Sequence, residues 1–129
     1  YVFAAAREVA AALTGPAVLV IKSTVPVGTN REVDRVVRAA NPAVQVAVAS
    51  NPEFLREGAA IDDFKRPDRV VVGLDEGAAG ARAVMAEVYK PLFLRDFPIV
   101  WTDPESAEMI KYAANAFLAA KITFINEVA

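Results

Sequence analysis

Hydrophobic residues follow two patterns that alternate along the chain. Short β-branched runs without polar alternation are typical of strands covered on both faces, and apolar residues spaced three or four positions apart are typical of helices. The first pattern predicts strands at residues 17–22, 44–49, 69–73 and 98–101. The second predicts helices at residues 1–14, 29–40, 51–58 and 78–89, and a long closing helix that begins at residue 103.

Turn and capping residues support the boundaries of these elements. Gly15-Pro16 ends the first helix, and Thr29-Asn30-Arg31-Glu32 fits a capping box at the start of the second. Asn51-Pro52 is typical of an N-cap followed by proline in the first turn, which predicts a short helix ending near Gly58. Asp103-Pro104 predicts the start of the closing helix in the same way.

The order of these elements predicts an α/β fold, a partial Rossmann-like parallel sheet flanked by helices on both faces. The closing helix would extend ~39 Å at ~1.5 Å per residue, which suits a connection between two domains better than the cover of a four-stranded sheet. We therefore divide the chain into residues 1–102 and 103–129. The apolar positions of this helix are 110, 113, 114, 117, 118, 122 and 125.

Composition narrows the classes of function. A hydrophobic content of 55% and a mean hydropathy of +0.32 suit a covered sheet, whereas the apolar runs are far shorter than the ~20 residues that a membrane span needs. Basic and acidic residues are interspersed, with a net charge of −2, so we expect no nucleic acid partner. The chain has no Cys and no His, so its chemistry rests on carboxylates, lysines, hydroxyls and amides. We expect a cytoplasmic protein without disulfides.

Polar residues follow two of the predicted strands. Ser23 and Thr24 follow the first strand and Glu53 follows the second, and parallel strands place their carboxyl ends at one crevice. Lys111 and Asn115, four residues apart, share one face of the closing helix. Each feature also has an ordinary structural explanation as a turn, a helix-dipole charge or a solvated side chain. Spacing alone predicts a polar crevice and no particular reaction.

Four segments together resemble one enzyme family, the UDP-glucose 6-dehydrogenases and their GDP-mannose dehydrogenase relatives. The resemblance covers residues 18–129 and implies that residues 1–102 are the C-terminal half of an NAD-binding domain. Residues 103–129 would begin the helix that leads to a central dimerisation domain. The segments are KSTVPVGT (22–29), NPEFLREG (51–58), IDDFKRPDRVVVG (61–73) and EMIKYAANAFLAAK (108–121).

The resemblance implies a reaction and a set of partners. Enzymes of this family oxidise the C6 alcohol of a nucleotide sugar twice, with two NAD⁺ and one water, to give a carboxylate. The route passes through an aldehyde, a thiohemiacetal and a thioester on a catalytic cysteine. We expect UDP-glucose as the substrate, NAD as the cofactor, and a homodimer or higher oligomer.

The family's site residues match positions of this chain one by one. Thr24 would lie near the nicotinamide and help position a water, with Ser23 and Val25 as flanking cofactor contacts. Glu53 would act as general acid/base for thioester hydrolysis. The cofactor would also contact Glu57, near the nicotinamide amide.

Other matches concern the substrate. Phe54, Leu55 and Arg56 would touch the sugar nucleotide largely through their backbone. Lys111 and Asn115 would stabilise oxyanion charge on the reacting carbon, as fixed donors do in many enzymes. The substrate-binding set is Glu53, Phe54, Leu55, Arg56, Glu57, Lys111 and Asn115.

Elements that this family needs are absent from the sequence. We expect an internal piece of a longer protein, with the Gly-rich pyrophosphate loop upstream, the catalytic cysteine downstream and no turnover by the piece alone. Alternative interpretations are a dehydrogenase of GDP-mannose or of an N-acetylated UDP-sugar, a hydroxyacid reductase of similar layout, and a truncated non-catalytic interaction module. An apolar stripe on the closing helix predicts self-association; it consists of Met109, Ile110, Phe117 and Leu118.

Overall fold

The computed structural model describes residues 1–92 and 98–129. It contains four strands, β1 (Ala17–Ile21), β2 (Val46–Ser50), β3 (Val70–Gly73) and β4 (Ile99–Thr102). The α-helices of the described residues are α1 (Val2–Ala12), α2 (Thr29–Ala40), α3 (Ala60–Lys65), α4 (Ala79–Tyr89) and α5 (Pro104–Val128). A 3₁₀ turn, Lys90–Leu92, follows α4.

The sheet has the strand order β1-β2-β3-β4 and is mixed. β1 and β2 are parallel, as are β3 and β4, whereas β2 and β3 pair antiparallel through Ser50 and Gly73. The α/β class is confirmed, but the prediction of a wholly parallel sheet is wrong at this central pair. A parallel connection needs a crossover packed on the sheet. The segment between β2 and β3 has only α3, a six-residue helix without buried residues, so no helix carries the chain back across the sheet.

Helices cover both faces of the sheet, as predicted. On one face α1 and α2 pack on β1 and β2, and their fully buried side chains are Ala10, Val33 and Val37. On the other face α4 packs on β2 and β3 through Ala81, Met85 and Tyr89. The two clusters explain why the strands carry apolar residues on both sides.

Within the part of the chain that the structure describes, helix α5 packs on the fold through its first two turns. Its buried residues are Pro104, Ala107, Glu108 and Lys111, and almost every side chain beyond Lys111 is exposed. Gly73 of β3 lies directly beneath this anchor: a Cβ there would lie 2.7 Å from the Ala107 Cβ and 2.8 Å from the Pro104 Cα. The absence of a side chain at Gly73 therefore lets α5 approach the sheet. Within the described residues, no helix combines the length and apolar character that crossing a membrane requires.

Two predicted helix starts differ in the structure. Gly28, at φ 93°, is the N-cap of α2, while the Thr29 hydroxyl donates to the Pro26 carbonyl and forms no capping box. The short helix predicted at residues 51–58 is wrong, and α3 begins at Ala60 instead. The Asn51 side chain donates to the Val71 carbonyl across the sheet and so does not cap a helix.

The close contact between β3 and α5 makes Gly73 a test of the fold. We expect Gly73→Ala to lower the free energy of unfolding by about 1–3 kcal/mol, because the added methyl group meets backbone and Cβ atoms of α5. Urea denaturation followed by circular dichroism measures this change. The matched control is Gly80→Ala in α4, where a Cβ meets nothing within 4 Å and the unfolding free energy should stay equal or rise. Equal stability of the two variants would contradict the packing of α5 on Gly73.

Candidate functional site

The carboxyl ends of β1 and β2 lie side by side, with Ile21 opposite Ser50. The segments that follow these two strands therefore meet at one edge of the sheet, and the first turns of α5 close the edge. A small crevice of about 10 Å³, comparable to the space that one water molecule needs, lies between them. Its lining residues are Ile21, Ser23, Thr24, Val25, Ser50, Pro52, Glu108 and Lys111.

A lysine–carboxylate pair borders this crevice. The buried Lys111 Nζ, from α5, donates to Glu53 Oε1 at 3.3 Å. The other Glu53 oxygen accepts the Leu55 N–H at 2.6 Å. This backbone bond lowers the pKa of Glu53; burial opposes the shift, and the positive charges of Lys111 and Lys22 add to it. Glu53 is therefore an ionised carboxylate at neutral pH and can accept a proton.

Two cations lie close to the Phe54 ring. Lys111 Nζ is 5.4 Å and Arg69 Cζ is 5.2 Å from the ring centroid. Both distances suit cation–π attraction. Glu53 directly precedes Phe54 in the chain. The aromatic ring therefore helps to hold Lys111 beside Glu53.

Asn51 joins three elements beneath the site. Its N–H donates to the Ile21 carbonyl at 2.9 Å, and its Nδ2 donates to the Val71 carbonyl at 2.8 Å. Its Oδ1 accepts hydrogen bonds from Lys22 Nζ at 3.2 Å and from the Tyr89 hydroxyl. Because Asn51 is buried and tied to β1, β3 and α4, the start of the segment that carries Glu53 is held on several sides.

Glu108 caps the start of α2 from another helix. Its two carboxylate oxygens accept the Gly28 N–H at 2.6 Å and the Asn30 N–H at 2.7 Å. The Asn30 side chain in turn donates to the Val48 carbonyl at 3.3 Å and to the Ser50 Oγ at 3.0 Å. The start of α2 is thereby bonded to α5 on one side and to the end of β2 on the other.

A larger cavity of about 540 Å³ lies on the other side of the Glu53 segment. Arg56 and Asp63 form an ion pair at its border, with Nη2 and Oδ1 2.7 Å apart, and this contact lowers the pKa of Asp63 to about 2. The volume suits a small organic ligand. The cavity is lined by Lys22, Asn51, Pro52, Glu53, Phe54, Leu55, Arg56, Asp63, Phe64, Arg66, Pro67, Asp68, Arg69, Val70 and Tyr89.

The structure brings together most of the site residues that the sequence suggested. Ser23 and Thr24 are exposed at the end of β1, where open α/β sheets bind ligands, and Val25 is buried behind them. Exposed hydroxyls on a loop anchored in the core suit an uncharged polar group of a cofactor. Glu57 lies in an exposed turn, and Asn115 is exposed one turn beyond Lys111; neither belongs to the lining of the two cavities described above.

Sequence reasoning missed Glu108, Asn30 and Asn51 as parts of the site. The apolar pattern of the sequence did not mark Glu108, because the packed face of α5, which consists of positions 104, 107, 108 and 111, emerges only from the structure. A charged residue on such a face requires a partner inside the protein. Nothing local identifies that partner, since Gly28 precedes Glu108 by 80 positions.

Comparisons with known proteins agree with this geometry. Residues 1–93 match the UDP-glucose/GDP-mannose dehydrogenase family, NAD binding domain, and residues 105–129 match the central domain of the same family. A UDP-glucose 6-dehydrogenase of Rhizobium meliloti (strain 1021) is 64% identical over 129 residues, which is 100% of this chain and 30% of that protein.

Solved structures of similar proteins share the fold. A UDP-glucose dehydrogenase from the hyperthermophilic archaeon Pyrobaculum islandicum matches with a TM-score of 0.90 and 47% identity over 99% of this chain and 29% of its own. A GDP-mannose dehydrogenase from Pseudomonas aeruginosa, solved as a ternary complex, matches with a TM-score of 0.87 and 34% identity over 98% of this chain and 30% of its own. The chain thus spans about 30% of the length of the relatives it matches. By its sequence and its fold, the chain belongs to the UDP-glucose/GDP-mannose dehydrogenase family, and residues 1–93 match that family's NAD-binding domain.

Proposed function

We propose that a protein of the relatives' full length carrying this chain oxidises UDP-glucose to UDP-glucuronate in two NAD⁺-dependent steps. The observation that carries the proposal is the contact of buried Lys111 with half-buried Glu53 beside Thr24, where the ends of β1 and β2 meet α5. A positioned cation and a carboxylate are the groups that alcohol oxidation and thioester hydrolysis need. The 64% identity to a UDP-glucose 6-dehydrogenase supports the choice of substrate.

Each residue of the pair has a distinct task in this proposal. Lys111 stabilises negative charge that develops on the oxygen of the reacting carbon, and Asn115 assists from the next turn. Glu53, which is ionised at neutral pH, removes a proton from the water that attacks the thioester. Thr24 orients this water through its exposed hydroxyl.

The cofactor side of the site is formed by the loop after β1. Ser23, Thr24 and Val25 hold the nicotinamide end of NAD⁺, and Glu57 contacts its amide. Two NAD⁺ molecules in turn would each accept one hydride, one for each oxidation. Residues 1–102 would form the C-terminal half of the NAD-binding domain, and residues 103–129 would lead to the central domain.

A related nucleotide sugar is the second candidate substrate. The structural similarity to a GDP-mannose dehydrogenase supports it, since the TM-score of 0.87 is close to that of the UDP-glucose dehydrogenase. Phe54, Leu55 and Arg56 would contact either nucleotide sugar through backbone atoms. Family membership sets aside the hydroxyacid reductase. We also propose that the 129-residue chain is inactive by itself and that the reaction takes place in the cytoplasm.

A substrate panel tests the proposed function. We expect the full-length protein to produce NADH from NAD⁺ and UDP-glucose, and the 129-residue chain to produce none. GDP-mannose and an N-acetylated UDP-sugar serve as competing substrates in parallel absorbance assays. Faster turnover of either competitor would replace the substrate assignment, and sustained turnover by the 129-residue chain would contradict the proposed dependence on other parts of the protein.

Replacement of the proposed base gives a sharper test. We expect Glu53→Gln in the full-length enzyme to release one burst of NADH and then stall as an acyl-enzyme, with steady turnover lower by roughly 10²–10⁴-fold, because the amide cannot accept a proton from water. Rapid-mixing absorbance and intact-protein mass spectrometry detect the burst and the adduct. The matched control is Glu87→Gln on α4, which removes an exposed ion pair with Lys90 of the following 3₁₀ turn and should turn over normally. Full turnover by Glu53→Gln would rule out its role.

The exposed face of α5 supports self-association. Phe117 is 67% exposed and Leu118 is 57% exposed, and patches of this kind promote contacts between copies. We expect the 129-residue chain to form dimers or larger oligomers at micromolar concentration, and Phe117→Asp to shift it towards monomer. Multi-angle light scattering measures both masses. A monomeric mass for the unsubstituted 129-residue chain would contradict this expectation.

A further inference from the structure

One buried carboxylate connects all parts of the site. Glu108 is only 4% exposed, and it binds the Gly28 and Asn30 N–H groups at 2.6 and 2.7 Å. Burying a charge is costly unless it is hydrogen-bonded, and free N–H groups at a helix start are strong partners for an anion. These two hydrogen bonds therefore fix the distance between the start of α2 and the first turns of α5.

Glu108 is linked indirectly to three of the proposed catalytic residues, Lys111, Thr24 and Glu53. Lys111 follows Glu108 by one turn of α5, and both side chains line the crevice that Thr24 also borders. Thr24 belongs to the loop that ends at the N-cap Gly28, so Glu108 fixes one end of that loop. Through Asn30 the same network extends to Ser50, three residues before Glu53.

We propose that Glu108 is a positioning residue, which holds the Thr24 loop, the end of β2 and Lys111 in the arrangement that places Lys111 against Glu53. The effect of Glu108 on catalysis rests on the proposed function. The effect of Glu108 on the Lys111–Glu53 contact does not. Glu108 touches neither substrate nor reacting atoms in this proposal. It acts through the three groups that it holds.

Glu105 offers a matched control on the same helix. It also joins α5 to α2, because Arg31 Nε donates to its Oε1 at 2.7 Å. This pair is partly exposed and lies outside the crevice. Glu105→Gln and Glu108→Gln therefore remove the same charge and weaken the same helix contact, but only the second disturbs the site.

The ionisation of Glu53 reports on the arrangement without any turnover. Among the described residues, the charged groups that face Glu53 are Lys111 from α5 and Lys22 from the end of β1, and both lower its pKa. In Glu108→Gln the NH₂ group of the amide, a donor, faces one N–H of α2, which is also a donor, so this hydrogen bond is lost. The first turns of α5 should then shift and carry Lys111 away from Glu53. Because Lys111 lowers the pKa of Glu53, that pKa should rise. Loss of the negative charge alone would change this pKa in the opposite direction. The sign therefore separates positioning from simple electrostatics.

Carboxyl-carbon NMR titration of the 129-residue chain measures this pKa. We expect an upward shift in Glu108→Gln and no shift in Glu105→Gln. A downward or absent shift in Glu108→Gln would overturn the proposal. If Glu108→Gln does not fold, Glu108→Asp replaces it: the shorter carboxylate should reach only one N–H and give a smaller upward shift, and an unchanged pKa there would also overturn the proposal.

Steady-state kinetics of the full-length enzyme measure the catalytic consequence. We expect kcat to fall roughly 10- to 100-fold in Glu108→Gln with little change in the KM for the nucleotide sugar, because misplaced catalytic groups slow the chemical step. Glu105→Gln should retain kcat, and so should Val37→Ala, which weakens the remote α1–α2 core. A parallel loss in all three variants would show a stability effect and overturn the proposal. An inactive parent enzyme would refute the proposed function, while the NMR comparison would still decide the positioning role.

Discussion

The arrangement of the site depends on how the start of α2 obtains its hydrogen-bond acceptors. A helix begins with N–H groups that lack partners inside the helix. The N-cap of α2 is Gly28, which has no side chain to offer, and the acceptors come from Glu108 of α5. A side-chain cap typically contributes about 0.5–2 kcal/mol, so this contact also fastens α5 to the rest of the fold.

Because α5 packs closely on the sheet, two of its charged side chains are buried and need partners. Glu108 and Lys111 are both carried into the interior, where neither charge is stable without partners. Backbone N–H groups satisfy the first and Glu53 satisfies the second. Among the described residues, no buried side-chain polar atom lacks a hydrogen-bond partner. A site in which every buried polar group is bonded favours a single arrangement of its side chains.

The mixed sheet explains why α5 reaches the crevice. The antiparallel pairing of Ser50 with Gly73 places the end of β3 beside the end of β2, and Gly73 leaves room for Ala107 directly above it. The first turns of α5 can therefore lie across the strand ends. With a larger residue at Gly73, α5 would lie further from the sheet, and Lys111 would be displaced from Glu53.

The sequence by itself determined the strands, most of the helices and the family. It also predicted Thr24, Glu53 and Lys111 as site residues and determined the Asp103 cap of α5, because these depend on neighbouring residues and on recognisable segments. Only the tertiary structure decided which partner each polar side chain takes. Asn51 bonds across the sheet and caps no helix, β2 and β3 pair antiparallel, and α2 is capped by Glu108, 80 positions from Gly28. Local pattern cannot specify such pairs, because their free energy arises from burial and contacts that exist only after the chain has folded.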